Sequence, residues 1–146
     1  MTGQLPQFNM VPHAASTVVG PANDTASTVF VMIETDEGLG NVEEIASVQG
    51  VDVLLVGSND LSIELGVPGD FGNEGFKGAL ERVSRACRSH KKIMGLAGIY
   101  DRPEVQKWAV HTLGVGFMLG QQDAGLITKG ARHCVEALRE ISSEVV

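Results

Sequence analysis

Two short apolar runs organise the middle of the chain. The first is Val29–Ile33 and the second is Val53–Val56. Each run is too short for a helix, is rich in branched residues and shows no polar alternation, which is typical of strands buried on both faces of a parallel sheet. The segment Asn41–Ser47 between them is predicted to be a crossover helix. This part of the chain is therefore expected to form a βαβ unit.

A carboxylate follows each of these predicted strands. Glu34 comes directly after the first strand, and Asp60 follows the second strand after Gly57, Ser58 and Asn59. In parallel α/β folds, ligands bind at the carboxyl ends of the strands. Carboxylate oxygens are also the ligands that hard divalent cations prefer. The pattern leaves two interpretations open: Glu34 and Asp60 form a site for a divalent metal, or both are simply polar residues at strand ends.

The same alternation of strands and helices continues to the end of the chain. A helix is predicted over Asn73–Ser89, because apolar residues recur at spacings of three and four. Strands follow at Ile93–Gly98 and Val115–Leu119, separated by a helix that starts near Pro103, where proline is tolerated. The last helix is predicted to reach about Ser143. Four strands alternating with helices imply an α/β fold with a parallel sheet, either a small open sheet or half of an eight-stranded barrel.

The beginning of the chain lacks this regularity. Residues 1–27 contain three of the five prolines, several Ser, Thr and Asn residues, and little periodicity. This composition predicts an irregular N-terminal lead-in, followed by one domain over residues 28–146. His13 is interpreted as a loop histidine of this lead-in.

Composition and charge exclude several classes of partner. Of the 146 residues, 43% are hydrophobic and 20% are charged, as in an ordinary globular domain. A net charge of −7 without a Lys/Arg cluster argues against a nucleic-acid partner. No apolar run is long enough to cross a bilayer and the N-terminus does not resemble a secretory signal, so we expect no membrane partner and a cytoplasmic location. Cys87 and Cys134 are too few for a disulfide framework.

Several short motifs occur in a distinctive order. They are VMIET from Val31, NVEEI from Asn41, GVD from Gly50 and GSNDLS from Gly57, followed more loosely by AG from Ala97, FMLG from Phe117 and DAGL from Asp123. In this order they resemble the HpcH/HpaI aldolase/citrate lyase family. The resemblance covers roughly residues 22–146 and corresponds to about the second half of a family (β/α)8 barrel. It therefore implies four βα units with parallel strands, equivalent to the C-terminal half of a TIM barrel.

The resemblance also implies a chemistry. The family comprises class II aldolases, metal-dependent carbon–carbon lyases that act on 2-oxo acids such as pyruvate. By the resemblance, Glu34 and Asp60 bind Mg²⁺, Mn²⁺ or Co²⁺, and Ser58, Asn59 and Asp60 bind the substrate, whose carboxylate is held by N–H groups at the start of a short helix. The metal would polarise the keto group and stabilise the enolate that attacks or leaves an aldehyde.

Two functional hypotheses follow. The first is a metal-dependent aldolase that forms or cleaves a carbon–carbon bond of a pyruvate-like 2-oxo acid. The second is a truncated, non-catalytic remnant that binds metal or partners. The reason for it is that the histidine that transfers protons and the arginine that binds the substrate in this family come from the first half of the barrel, whereas the resemblance covers the second half. No residue of this chain is assigned as catalytic, and His13 is the one histidine expected to be able to reach the site.

Half a barrel also predicts self-association. Four strands of an eight-stranded cylinder have two unpaired edges, and such edges invite association. We therefore expect a homo-oligomer, either two halves that complete a pseudo-barrel or an open sheet covered by swapped helices. The last helix, with its long apolar side, is the element expected to pack on a neighbouring subunit.

Overall fold

The computed structural model describes residues 11–25 and 27–143. Four strands lie in chain order, β1-β2-β3-β4, and every neighbouring pair is parallel. This confirms the predicted α/β fold. Along the chain the elements are α1 (Ala15–Thr25), β1 (Phe30–Ile33), α2 (Asp36–Gly40), α3 (Val42–Ser47), β2 (Val53–Gly57), α4 (Ser58–Glu64), α5 (Glu74–Ser89), β3 (Ile93–Ala97), α6 (Pro103–Trp108), a π-helical segment (Ala109–Leu113), β4 (Val115–Met118) and α7 (Asp123–Ser143).

The two faces of the sheet have different surroundings, because successive side chains of a strand point to opposite faces. One face is covered by helices and forms the core, to which β1, β2 and β3 contribute Ile33, Val56 and Leu96. The other face carries Phe30 on β1 and Phe117 on β4, whose ring centroids lie 4.9 Å apart. These strands are three spacings apart, about 14 Å in a flat sheet. The ring contact therefore indicates that the sheet curls, and this second face is its concave side.

The helix α5 supplies much of the core and follows the predicted apolar stripe. Asn73 caps it, with its side-chain oxygen accepting a hydrogen bond from the N–H of Gly75 at 2.8 Å. Phe76, Leu80 and Cys87 of the stripe are all buried. Burial, with a smaller contribution from the charge of Glu43, raises the pKa of the Cys87 thiol to about 11. The thiol is therefore protonated at neutral pH.

The prediction of an irregular lead-in is wrong for Ala15–Thr25, which form α1. Pro21 lies inside this helix, where its missing N–H removes one helical hydrogen bond. The helix nevertheless buries Val18, and the Thr25 hydroxyl donates a hydrogen bond to the Pro21 carbonyl oxygen at 2.6 Å. Burial thus outweighs the weak local propensity. Residues 1–10 of the predicted lead-in lie outside the described residues.

The last helix, α7, stands away from the rest of the chain. An ion pair between Lys129 and Asp101 links it to the β3–α6 connection. Its apolar stripe is present as predicted, but its large side chains are exposed, to 70% for Ile127 and 66% for Leu138. Within the described part of the chain, this stripe covers no core surface. No helix described here has the length and apolar character needed to cross a membrane.

Candidate active site

The side chain of Glu34 leaves the end of β1 and lies over the end of β2. Ile33 is paired with Val56 in the sheet, so Glu34 stands beside Gly57. A Cβ atom added to Gly57 would come within 2.9 Å of Glu34 Oε2 and within 3.0 Å of Glu34 Cβ. Because glycine lacks this atom, the Glu34 carboxylate can lie against the backbone of β2. The carboxylate is thereby held next to the strand end from which α4 begins.

Asp60 lies in the first turn of α4. The sequence predicts this helix from Leu61, whereas it begins at Ser58, directly after β2. The Ser62 hydroxyl secures the turn by donating to the Asn59 carbonyl oxygen at 2.7 Å and accepting from the N–H of Gly69 at 3.0 Å. Asp60 is consequently fixed at the carboxyl edge of the sheet, one strand away from Glu34.

Both carboxylates are free to bind a ligand. Neither Glu34 nor Asp60 forms a hydrogen bond or an ion pair with another described residue. Glu34 is half-buried and Asp60 is exposed. Hard divalent cations accept two carboxylates and complete their coordination with water or with substrate oxygens. Within residues 11–25 and 27–143, no third His, Cys, Asp or Glu joins the pair in a metal-binding cluster, so this donor set fits a cation that keeps several positions open.

Asn59 is packed against the end of the third strand. Gly98 has a φ of +90°, a conformation that glycine adopts readily. A Cβ atom added there would lie 3.0 Å from Asn59 Nδ2 and 3.3 Å from the Asn59 backbone nitrogen. The start of α4 is therefore seated closely on β3. N–H groups in the first turn of a helix lack helical acceptors, and those of Asn59 and Asp60 are available to a carboxylate.

Ser58 has a different environment from its two neighbours in the predicted substrate site. Its side chain is fully buried, and its hydroxyl has no hydrogen-bond partner among the described residues. The hydroxyl is thus enclosed by protein. Ser58 therefore offers no side-chain group to a ligand at the sheet edge.

Replacing Ser58 with alanine is expected to raise the free energy of unfolding by about 1 kcal/mol, because it removes a buried, unpaired hydroxyl. Ser62→Ala is the matched control, since the Ser62 hydroxyl is equally buried but makes two hydrogen bonds. That control should lose about 1–3 kcal/mol. Urea unfolding of the two variants measures both changes. A loss of stability in Ser58→Ala as large as that in Ser62→Ala would contradict the assignment of an unpaired hydroxyl.

Three basic side chains of the helical layer have partners within that layer. His90 follows the last turn of α5 and pairs with Glu43 at 3.2 Å. Arg82 and Arg88 donate hydrogen bonds to backbone carbonyl oxygens at 2.6 and 2.7 Å. Arg102 borders a groove of about 720 Å³ between α5 and α6, whose lining includes neither Glu34 nor Asp60. Sequence periodicity gave no signal for this groove, because its residues come from separate elements.

Curled parallel strands, an outer layer of helices and acids at the strand carboxyl ends define the chain as part of a βα barrel. A family model described as HpcH/HpaI aldolase/citrate lyase matches residues 9–122. The chain belongs to this family, as the sequence motifs predicted.

Two curated fungal relatives are 4-hydroxy-4-methyl-2-oxoglutarate aldolases. The protein from Chaetomium globosum is 49% identical over 97% of this chain, and the protein from Hapsidospora irregularis is 43% identical over 97%. Each match covers 52% of the relative. The chain thus spans about half the length of the curated relatives it matches.

A solved structure supports the assignment of the fold. The crystal structure of an HpcH/HpaI aldolase from Desulfitobacterium hafniense superposes with a TM-score of 0.75 and 25% sequence identity. The match covers 90% of this chain and 50% of that protein. This confirms the prediction that the four βα units correspond to half of a family barrel.

Proposed function

We propose that this chain carries the metal-binding half of an aldolase that forms or cleaves a carbon–carbon bond of a pyruvate-like 2-oxo acid. The observation that carries the proposal is the pair of unpartnered carboxylates, Glu34 and Asp60, on neighbouring strand ends. The substrate class comes from the two fungal relatives, both of which are named as aldolases of 4-hydroxy-4-methyl-2-oxoglutarate. Cleavage of that compound between C3 and C4 gives two molecules of pyruvate.

Glu34 and Asp60 would hold a divalent cation, Mg²⁺, Mn²⁺ or Co²⁺. Such a cation supplies Lewis acidity, which polarises a keto oxygen and stabilises negative charge that develops beside it. The backbone N–H groups of Asn59 and Asp60 would bind the substrate carboxylate at the start of α4. Gly57 allows the Glu34 carboxylate to lie against β2, and Gly98 allows the first turn of α4 to lie against the end of β3. The carboxylate and the N–H groups of this turn are thus oriented before the substrate arrives.

The second candidate function is a non-catalytic member of the family that retains metal binding. It is favoured by the placement of the basic groups, because His90, Arg82 and Arg88 have partners on the helical layer rather than at the strand carboxyl ends. None of these three groups is therefore placed to transfer a proton at the site. The two functions make the same prediction for metal binding and opposite predictions for turnover.

A calorimetric titration of Mn²⁺ into the purified chain, with and without pyruvate, tests the proposal. We expect binding with a stoichiometry of about one ion per chain and a higher affinity when pyruvate is present, because pyruvate oxygens would fill open coordination positions. Release of pyruvate from 4-hydroxy-4-methyl-2-oxoglutarate would then separate the aldolase from the non-catalytic binder. Absence of Mn²⁺ binding under both conditions would refute both candidates.

A further inference from the structure

A side-chain hydrogen bond joins the two segments of the chain that carry the proposed metal ligands. Glu64 is the last residue of α4, and its Oε2 accepts a hydrogen bond from the backbone N–H of Asp36 at 3.4 Å. Asp36 follows Glu34 by two positions, and Glu64 follows Asp60 by four. Within the described part of the chain, no other side-chain hydrogen bond links residues 34–40 to α4.

The contact made by Glu64 shows which way Asp60 projects from α4. Residues four positions apart lie on the same face of a helix, with their Cβ atoms about 5–6 Å apart. Because Glu64 reaches the N–H of Asp36, this face of α4 is turned towards the residues that follow β1. Asp60 therefore projects from α4 on the side of Glu34, as two ligands of one cation must.

The N–H of Asp36 depends on Glu64 for its acceptor. Asp36 is the first residue of α2, and the first N–H groups of a helix have no acceptor within that helix. The Thr35 hydroxyl, which caps α2, accepts a hydrogen bond from the N–H of Gly38 at 3.0 Å instead. Glu64 thus fixes the backbone that follows Glu34 relative to α4.

Glu64 also brings a second negative charge to within one helical turn of Asp60. Neither carboxylate forms an ion pair with another described residue. Like charges at this spacing repel each other on a helix, and a divalent cation bound beside them relieves the repulsion. The hydrogen bond of Glu64 and its charge therefore both favour the binding of a cation.

We propose that Glu64 is a positioning residue of the metal site and holds the segments of Glu34 and Asp60 together in the arrangement that a divalent cation needs. The inference rests on the proposed function, because it assigns Glu64 a role in that same site. Glu64 itself is not a ligand, since no third acid joins the pair in a metal-binding cluster within the described residues. Its removal should therefore weaken metal binding without abolishing it.

Calorimetric titration of Mn²⁺ in 1 M KCl tests this role, because a Debye length of about 3 Å then suppresses the effect of the Glu64 charge. Glu64→Ala removes the hydrogen bond and should weaken Mn²⁺ binding about 10-fold, as expected for a group that orients metal ligands. Glu64→Gln keeps an oxygen that can accept from Asp36 and should bind Mn²⁺ as the unmodified chain does. The control is Glu81→Ala, which removes an exposed acid of α5 without a described ion pair and should leave the affinity unchanged.

Hydrogen exchange of the unmodified chain without metal provides a second readout. Relative to its intrinsic rate, the Asp36 amide should exchange more slowly than the Glu37 amide, whose N–H has no acceptor among the described residues. Glu64→Ala should remove this difference.

The outcomes separate the inference from the proposed function. Equal exchange of the Asp36 and Glu37 amides in the unmodified chain would overturn the positioning role. Mn²⁺ affinity that is unchanged in Glu64→Ala, or that falls equally in Glu64→Ala and Glu64→Gln at 1 M KCl, would also overturn it and leave the proposed function standing. An unmodified chain that binds no Mn²⁺ would refute the proposed function and the inference with it.

Discussion

Replacing Asp60 with alanine should abolish binding of Mn²⁺ while leaving the fold intact. Asp60 is exposed in the first turn of α4 and makes no hydrogen bond or ion pair with the other residues described, so its removal leaves no buried group without a partner. It would, however, remove one of two protein ligands. We expect the dissociation constant for Mn²⁺ to rise on the order of 100-fold or more, since changes to groups that merely orient a metal ligand already cost about 10- to 100-fold.

Asp24→Ala is the control for this experiment. Asp24 is also exposed and lies on a helix, α1, that precedes the first residue of β1. Its replacement should change neither the affinity for Mn²⁺ nor the urea midpoint. Calorimetry on Asp60→Ala, Asp24→Ala and the unmodified chain gives the comparison. Full retention of metal affinity in Asp60→Ala, with a normal circular dichroism spectrum, would exclude Asp60 as a ligand.

Gly57→Ala should weaken metal binding through Glu34 rather than through Gly57 itself. The added methyl group would approach Glu34 Oε2 to 2.9 Å and Met32 Cε to 3.1 Å, so the Glu34 carboxylate must move. The φ of −82° at Gly57 is accessible to alanine, and the backbone itself imposes little strain. We expect about a 10- to 100-fold loss of Mn²⁺ affinity. Local overpacking should also lower the free energy of unfolding by about 1–3 kcal/mol.

The matched substitution is Gly40→Ala, because an added Cβ atom there would meet no atom within 4 Å. It should leave both metal affinity and the free energy of unfolding close to those of the unmodified chain. A double variant separates the two effects of Gly57→Ala. If Gly57 acts through Glu34, adding Gly57→Ala to Glu34→Ala should cause no further loss of metal affinity. A further loss of the same size as in the single variant would show that Gly57 acts elsewhere.

The strands were predictable because their signal is local. An unbroken run of branched residues identifies a doubly buried strand wherever it occurs, and the observed strands begin and end within two residues of the predicted positions. Local sequence patterns gave wrong predictions for α1 and for the start of α4. The proline and the Ser/Thr residues of residues 15–25 do not predict a helix, but α1 forms there and is stabilised by burial of Val18. The sequence around Gly57 and Ser58 did not predict that α4 begins at Ser58, because a helix that starts directly after a strand has no connecting loop before it.

The site was partly predictable for the same reason. A residue that follows a strand must lie at the carboxyl edge of the sheet, and the order of strands in a parallel unit places Glu34 next to Asp60. The supporting contacts were not predictable. Gly57 lies against Glu34 through sheet pairing, and Gly98 lies against Asn59 across a separation of 39 positions in the chain. Such contacts depend on register and curvature, which no local pattern encodes.

By itself, the sequence determined the parallel α/β fold, membership of the aldolase family and the positions of two acids at the strand ends. These features follow from short-range periodicity and from motifs that survive in order along the chain. Tertiary structure alone decided that the Ser58 hydroxyl is buried without a partner among the described residues, that the concave face is partly exposed, and that α7 covers no core surface formed by those residues. The physical reason is that an apolar pattern records which side of an element avoids water, but not which other surface covers it.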